Sequence, residues 1–253
     1  MQMRNSKTIL FLIISASLWL LTGCSSMDPI DTNTPEGAFK LGEKYAKDER
    51  FEEAIAQFSH VKNKHPYSKL ATEAELRIAD IYFERDDFIE AQNAYQVFKE
   101  MHPSHPRIDY VTFRLGLSFF NQLPSTIDRD LSVADRAIMY FDEVVQSYPQ
   151  SEYVSSAAEH KKKALKMLAE KEYYVGNFYF IRDHYESALG RFESLLEKYS
   201  GLGLDAMALY GAAVSAYKIK DLGKAKAYYQ RLMSRFKDTA EAEKARSELG
   251  SRI

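Results

Sequence analysis

Leu41-Gly42-Glu43-Lys44-Tyr45, followed by Phe51, Ala54, Phe58, Val61 and Pro66, returns 37 residues later as Ile78-Ala79-Asp80-Ile81-Tyr82, Phe88, Ala91, Tyr95, Phe98 and Pro103. Within each copy the apolar residues recur at three and four, the period of a helix. Prolines Pro66, Pro103, Pro106, Pro124 and Pro149 fall between the helical stretches. No stretch alternates at period two for long enough to form a strand. A third copy begins Leu115-Gly116-x-x-Phe119 and resumes at Ala137, Phe141, Val144 and Pro149. About nine extra residues, Leu123 to Leu131, separate its two helices. A fourth copy has Gly176, Tyr179, Tyr185, Ala188, Phe192 and Leu195; a fifth has Ala213, Leu222, Ala225, Tyr229 and Leu232. Thr239 to Leu249 reads as a closing helix.

The register explains itself through side-chain size. Gly42, Ala79, Gly116, Gly176 and Ala213 are placed where helix A of a repeat meets its helix B. Ala54, Ala91, Ala137, Ala188 and Ala225 are placed on the facing side of helix B. Small residues at both positions let the helices approach, and the aromatic residues fill the gaps between neighbours. This is the tetratricopeptide pattern, a helix-turn-helix unit of about 34 residues. One unit cannot bury its own apolar face, so units must stack. The sequence therefore predicts an all-α superhelix of about five repeats, more than the usual minimum of about three. Between Gln150 and Glu172 the helical pattern continues without a break, with Ser151 as expected N-cap. Helix A of repeat four is thus expected to run backwards to roughly 30 residues, against a mean of about 12 for globular helices. It would join an N-terminal part, 34–150 with repeats one to three, to a C-terminal part, 151–253 with repeats four and five and the closing helix.

The single cysteine, Cys24, ends Leu21-Thr22-Gly23-Cys24. Ahead of it stand a basic segment with Arg4 and Lys7 and an apolar run from Ile9 to Leu21. That order is a secretory signal peptide. The apolar run is too short for a spanning helix, which needs about 20 residues. The Leu-Thr-Gly-Cys ending resembles the lipobox of bacterial lipoproteins, which implies cleavage after residue 23 and N-acyl and S-diacylglycerol lipid on Cys24. A plain secretory signal with an incidental cysteine is the competing reading. Ser25 follows the cysteine where an Asp would resemble an inner-membrane retention signal, which favours the outer membrane. Two or more acyl chains anchor stably where one does not. Residues 24–33 are polar and read as a tether.

The chain has 34 basic and 36 acidic residues, and loss of the signal removes Arg4 and Lys7. A mildly acidic mature chain argues against nucleic-acid binding. No cysteine remains for an intramolecular disulfide, so the fold rests on its apolar core. No catalytic constellation appears. His102 and His105 fall in an inter-helix loop and lack the spacing of a zinc pair. Asp128-Arg129-Asp130 lacks the glycine and distal glutamate of a calcium loop. Lys161 to Lys163 reads as a solvated helix face or a contact for anionic headgroups. The expected activity is therefore binding, with no metal and no cofactor apart from the covalent lipid. Helix A lines the concave side of such arrays. By register the lining includes Glu36, Phe39, Glu43, Leu76, Asp80, Phe83, Tyr110, Phe113 and Phe120, an aromatic groove with acidic flanks suited to an extended peptide. The competing fate of each ring is packing between repeats.

A lipobox, a short tether and five such repeats together resemble the BamD/ComL/YfiO family, outer-membrane lipoproteins of the β-barrel assembly machinery. Pro66-Tyr67-Ser68, Tyr148-Pro149-x-Ser151, the Asp128-Arg129-Asp130 insert and Glu172-Tyr173 with Tyr179 carry the resemblance. It implies a non-enzymatic scaffold on the periplasmic face of the outer membrane. It also implies partners: a BamA-like POTRA-barrel protein at the C-terminal repeats, other Bam lipoproteins, and the C-terminal β-signal of unfolded barrel proteins at the N-terminal groove. Arg191-Phe192-Glu193-Ser194-Leu195-Leu196 matches the family's Arg-x-Glu-x-x-Leu setting, which implies that Arg191 pairs with a POTRA carboxylate. Ser200-Gly201-Leu202 departs from the family pattern, in which a proline follows that helix. The runner-up is a periplasmic repeat lipoprotein resembling the CpoB or Tol-linked proteins of envelope and peptidoglycan work.

Overall fold

A computed structural model describes residues 30–253; Cys24, the signal peptide and most of the tether lie outside them. Eleven helices follow one another in the described residues: α1 (Pro35–Lys47), α2 (Phe51–Lys64), α3 (Lys69–Glu84), α4 (Phe88–Met101), α5 (Ile108–Asn121), α6 (Ala134–Ser147), α7 (Val154–Phe180), α8 (Tyr185–Lys198), α9 (Asp205–Lys218), α10 (Leu222–Arg235) and α11 (Ala240–Leu249). Each packs chiefly on the helix before and the helix after it. The pairs α1–α2, α3–α4, α5–α6, α7–α8 and α9–α10 are the five repeats, and α11 closes the stack against α9. No described helix is long and apolar enough to cross a membrane.

Local chemistry sets the helix ends. Thr34 accepts a hydrogen bond from the Gly37 N–H, with Pro35 in the first turn, as helix starts prefer. Ser68, Asp221 and Thr239 cap α3, α10 and α11 in the same way. The turn from helix A to helix B is a Schellman motif repeated in register. Glu49, Asp86, Asp183 and Lys220 all take φ between 57° and 66°. The next residue's N–H bonds back across the turn, Arg50 to the Tyr45 carbonyl, Asp87 to Tyr82, His184 to Tyr179 and Asp221 to Ala216. Four non-glycine residues thus hold the left-handed conformation that usually falls to glycine. Repeat three lacks this turn, because the insert replaces it. There Leu131 is buried, and Asp130 accepts from the Ser132 N–H and hydroxyl.

The predicted small residues do what their size suggests. A Cβ on Gly42 would stand 2.9 Å from the Phe58 ring; one on Gly116 or Gly176 would stand 2.8 Å from Phe141 or Phe192. Gly211 adds a contact the register did not reveal. Its Cβ would come within 2.4 Å of Phe192, so that ring is held between glycines of two successive repeats.

The long helix appears, with one difference. It has 27 residues and begins at Val154, with Tyr153 rather than Ser151 at its cap. Ser151 instead accepts from the Tyr153 N–H and shapes the turn ahead of the helix. Ala157, in the first half of α7, joins the apolar cluster of repeats two and three. Tyr173, Tyr179 and Phe180, in its second half, pack on the cluster of repeats four and five.

Candidate functional site: a helix-A groove with two arginines

Helices α1, α3 and α5 bring their exposed sides together through a chain of polar contacts. On α1, Glu43 accepts from Arg77 of α3, 2.6 Å from Nε and 3.4 Å from Nη2. Arg77 also lies 3.5 Å from Asp80 and 3.7 Å from Glu84. Asp80 is buried, at 3 % exposure. Its Oδ1 accepts from the Tyr95 hydroxyl at 2.6 Å and from the Tyr110 hydroxyl of α5 at 2.7 Å. Arg114 of α5 donates from Nε to the Tyr95 oxygen at 3.2 Å. Its guanidinium lies over the Phe83 ring at 3.7 Å, close enough for a cation–π contact. Among the described residues no carboxylate stands within ion-pair distance of Arg114.

Burial and charge act together on the tyrosines. Burial first, and the Asp80 carboxylate second, push Tyr110 up to about 12. The same causes, in the same order, raise the more deeply buried Tyr95 further. Both hydroxyls therefore stay protonated and serve as donors to Asp80.

The expected groove residues divide. Phe39 packs edge-on against Phe58 at 5.1 Å and remains half-buried. Glu36 is exposed, and Phe83, Tyr110 and Phe120 keep part of their surface. Leu76 is fully buried and Phe113 is 7 % exposed, so these two have no surface for a ligand. Phe113 lies under Tyr153, stacked at 5.1 Å and 17°. The acidic flanks also need correction. Glu43 is paired and Asp80 is buried, so neither presents a free carboxylate. Arg77 and Arg114 were the missed residues. They stand 37 residues apart in the repeat register, the signal by which they could have been found. His160 of α7 was missed as well; it contacts Phe120 at 5.3 Å and Phe141 at 5.7 Å.

Arg191 is on α8, away from this groove. Its side chain is 48 % exposed, and its Nη1 lies 3.3 Å from both oxygens of Glu172 on α7. A further apolar groove of about 630 Å³, bordered by Ile78, Tyr82, Val97 and Met101, contains none of the expected residues. No cluster of three or more His, Cys, Asp or Glu among the described residues could hold a metal ion.

The comparisons with known proteins fit this architecture. A tetratricopeptide-repeat family matches residues 180–241. The chain is 26 % identical over 205 residues to the outer membrane protein assembly factor BamD of Neisseria meningitidis, covering 74 % of this chain and 77 % of that protein. It is 23 % identical over 193 residues to the protein of the same name from Vibrio cholerae, covering 72 % and 80 %. The family described as YfiO, outer membrane lipoprotein, matches residues 31–204, across the insert and the long helix. The chain belongs to the YfiO outer membrane lipoprotein family.

Proposed function

We propose that this protein is a non-enzymatic assembly factor of the outer-membrane β-barrel assembly complex. It is held by lipid on Cys24 at the periplasmic face and receives the C-terminal β-signal of unfolded barrel proteins in the groove of α1, α3 and α5. The observation that carries this reading is Arg114: a half-buried guanidinium stacked on Phe83 and without a carboxylate partner among the described residues. A β-signal ends in an aromatic residue with a free carboxylate. The ring suits the partly exposed faces of Phe83, Tyr110 and Phe120, and the carboxylate suits the open edge of Arg114. Leu76 and Phe113 serve the packing beneath.

The C-terminal repeats hold a BamA-like POTRA-barrel protein, with Arg191 as the contact. Its pairing with Glu172 is exposed on the arginine side, and exposed ion pairs contribute about 0–1 kcal/mol. A partner carboxylate can take over the guanidinium at small cost, and the planar fork suits a two-point pair better than Lys would. Other lipoproteins of the complex are further partners.

The test is purification of the tagged lipoprotein from detergent-solubilised outer membranes. We expect the POTRA-barrel protein to co-purify, and Arg191→Glu to weaken that association with unchanged helicity by circular dichroism. Consistent recovery of cell-wall enzymes alone would overturn the assignment.

A further inference from the structure

The five repeats serve as each other's controls, and one of them breaks the pattern. Two positions after the small residue of helix A stand Lys44, Ile81, Ser118, Phe178 and Ser215. Ile81, Ser118 and Ser215 are fully buried, because helix B of the preceding repeat covers that side in repeats two, three and five. Lys44 has no preceding repeat, is exposed, and is a charged residue suited to water. Phe178 of repeat four is 43 % exposed. The difference goes with the length of α7: the side-chain contacts of α6 with it, Phe141 on His160 and Asp142 with Lys161, fall in its first half, as does the buried Ala157.

Two neighbouring positions depart in the same sense. Five residues after the small residue stand Lys47, Glu84, Asn121 and Lys218 in the other repeats, all exposed and polar. In repeat four the residue is Ile181, 65 % exposed. Two residues before the small residue stand Lys40, Arg77, Arg114 and Gly211 elsewhere, and Tyr174, 49 % exposed, in repeat four. Tyr174 and Phe178 of α7 and its C-cap residue Ile181, whose backbone is still right-handed helical, lie at spacings of four and three, on one face. At these positions this chain puts charged or amide residues where helix A stays in water, and small or apolar ones, Ile81, Ser118, Gly211 and Ser215, where helix A is buried. On α7 it puts apolar residues on an open face.

We infer that the second half of α7 docks an amphipathic helix of another protein, seated where helix B of the preceding repeat lies in repeats two, three and five. The shape follows from the repeat geometry: a helix fills the equivalent face in each interior repeat, with apolar side chains at three- and four-residue spacing toward helix A. The charge follows from the rim. Arg182 lies over the Phe178 ring at 3.7 Å and bonds to the Phe178 carbonyl, and Lys171 of the same helix bonds to the Arg129 carbonyl of the insert. A carboxylate beside the partner's apolar stripe would meet Arg182. This site lies apart from the Arg114 groove, and it does not require that the groove bind a β-signal.

The experiment uses the full-length lipoprotein in its native membranes, with a photo-reactive benzoyl-phenylalanine in place of Tyr174 and the crosslinked peptide sequenced by mass spectrometry. The expected product joins position 174 to a segment of a different protein whose apolar residues recur at three and four. Adding Phe178→Asp should reduce that product about tenfold or more, as loss of a central apolar anchor does at interfaces. Phe178 is exposed, so the variant should keep its circular dichroism; Ile181→Asp gives the same readout if Phe178→Asp does not accumulate. Crosslinks to a second copy of this chain, to lipid, to a segment without helical period, or none at all would overturn the inference. So would a product indifferent to both aspartates. The Arg114→Gln variant should give an unchanged product, which separates failure here from failure of the groove.

Discussion

Replacing Asp80 by Ala tests whether the buried network holds the groove. Its Oδ1 accepts two tyrosine hydroxyls, at 2.6 and 2.7 Å, and its other oxygen faces Arg77 at 3.5 Å. Tyr95 has no exposed surface, so its proton would lose its acceptor without gaining water. Leaving a buried hydroxyl unpaired costs about 1–3 kcal/mol. Removing one partner of a buried charged pair costs about 3–5 kcal/mol. Tyr110 and Arg77 are only half-buried and can turn toward solvent, so the lower end applies. We expect Asp80→Ala to lose about 3–4 kcal/mol, and Asp80→Asn, which keeps an acceptor oxygen, to lose about half as much. The assay is urea unfolding of the chain from residue 25 onward, followed by circular dichroism and read from the midpoint at constant slope. The double variant Asp80→Ala/Tyr95→Phe should recover about 1 kcal/mol, because it removes the orphaned hydroxyl. A loss below about 1 kcal/mol for Asp80→Ala, or no recovery in the double variant, would refute the reasoning.

Three further outcomes follow from the same contacts. Gly211→Ala places a methyl 2.4 Å from Phe192 and should destabilise by about 1–3 kcal/mol or more in the same assay. Gly190→Ala, where a Cβ meets nothing within 4 Å inside α8, should instead stabilise by about 0.5–1 kcal/mol. A tyrosinate absorbance titration of the folded chain should show Tyr95, Tyr110, Tyr210 and Tyr228 ionising late, since burial first and neighbouring carboxylates second raise all four. A raised native value means that the folded state keeps protons the unfolded state releases. For Tyr110 that stabilisation is full below pH 10 and is lost as pH rises through about 12.

The stack was legible because its determinants are local and periodic. Gly42 against Phe58 and Gly176 against Phe192 need only side-chain size and a fixed spacing. The insert at Leu123 to Leu131 announced itself by breaking that spacing. The turns were less legible: Glu49, Asp86, Asp183 and Lys220 adopt a conformation that a reader assigns to glycine, held by the helix-end hydrogen bonds around them. The groove was legible only in part, because its chemistry depends on how successive repeats are rotated. Phe39, Leu76 and Phe113 share one register, yet only Phe39, in the first repeat, keeps surface; Phe113 is closed by Tyr153 from α7. The acidic reading of the groove keeps Glu36, which is exposed, and loses Glu43 and Asp80 for the same reason. Arg77 reaches back to Glu43, a partner 34 residues away, and Arg114 reaches back to Phe83, so charge and ring pair across repeats. Arg191 has its place on α8 beside Glu172, and Cys24 lies outside the described residues.

The most direct measurement of the central claim is the affinity of the chain for a synthetic β-signal peptide, as the free acid and as the C-terminal amide. It is made by calorimetry on the wild type and on Arg114→Gln. The wild type should prefer the free acid by about tenfold or more, the worth of a charge-assisted hydrogen bond of about 1.5–3 kcal/mol. Arg114→Gln should show no preference. Equal affinity of the wild type for acid and amide, or no binding of either, would contradict a carboxylate site at Arg114.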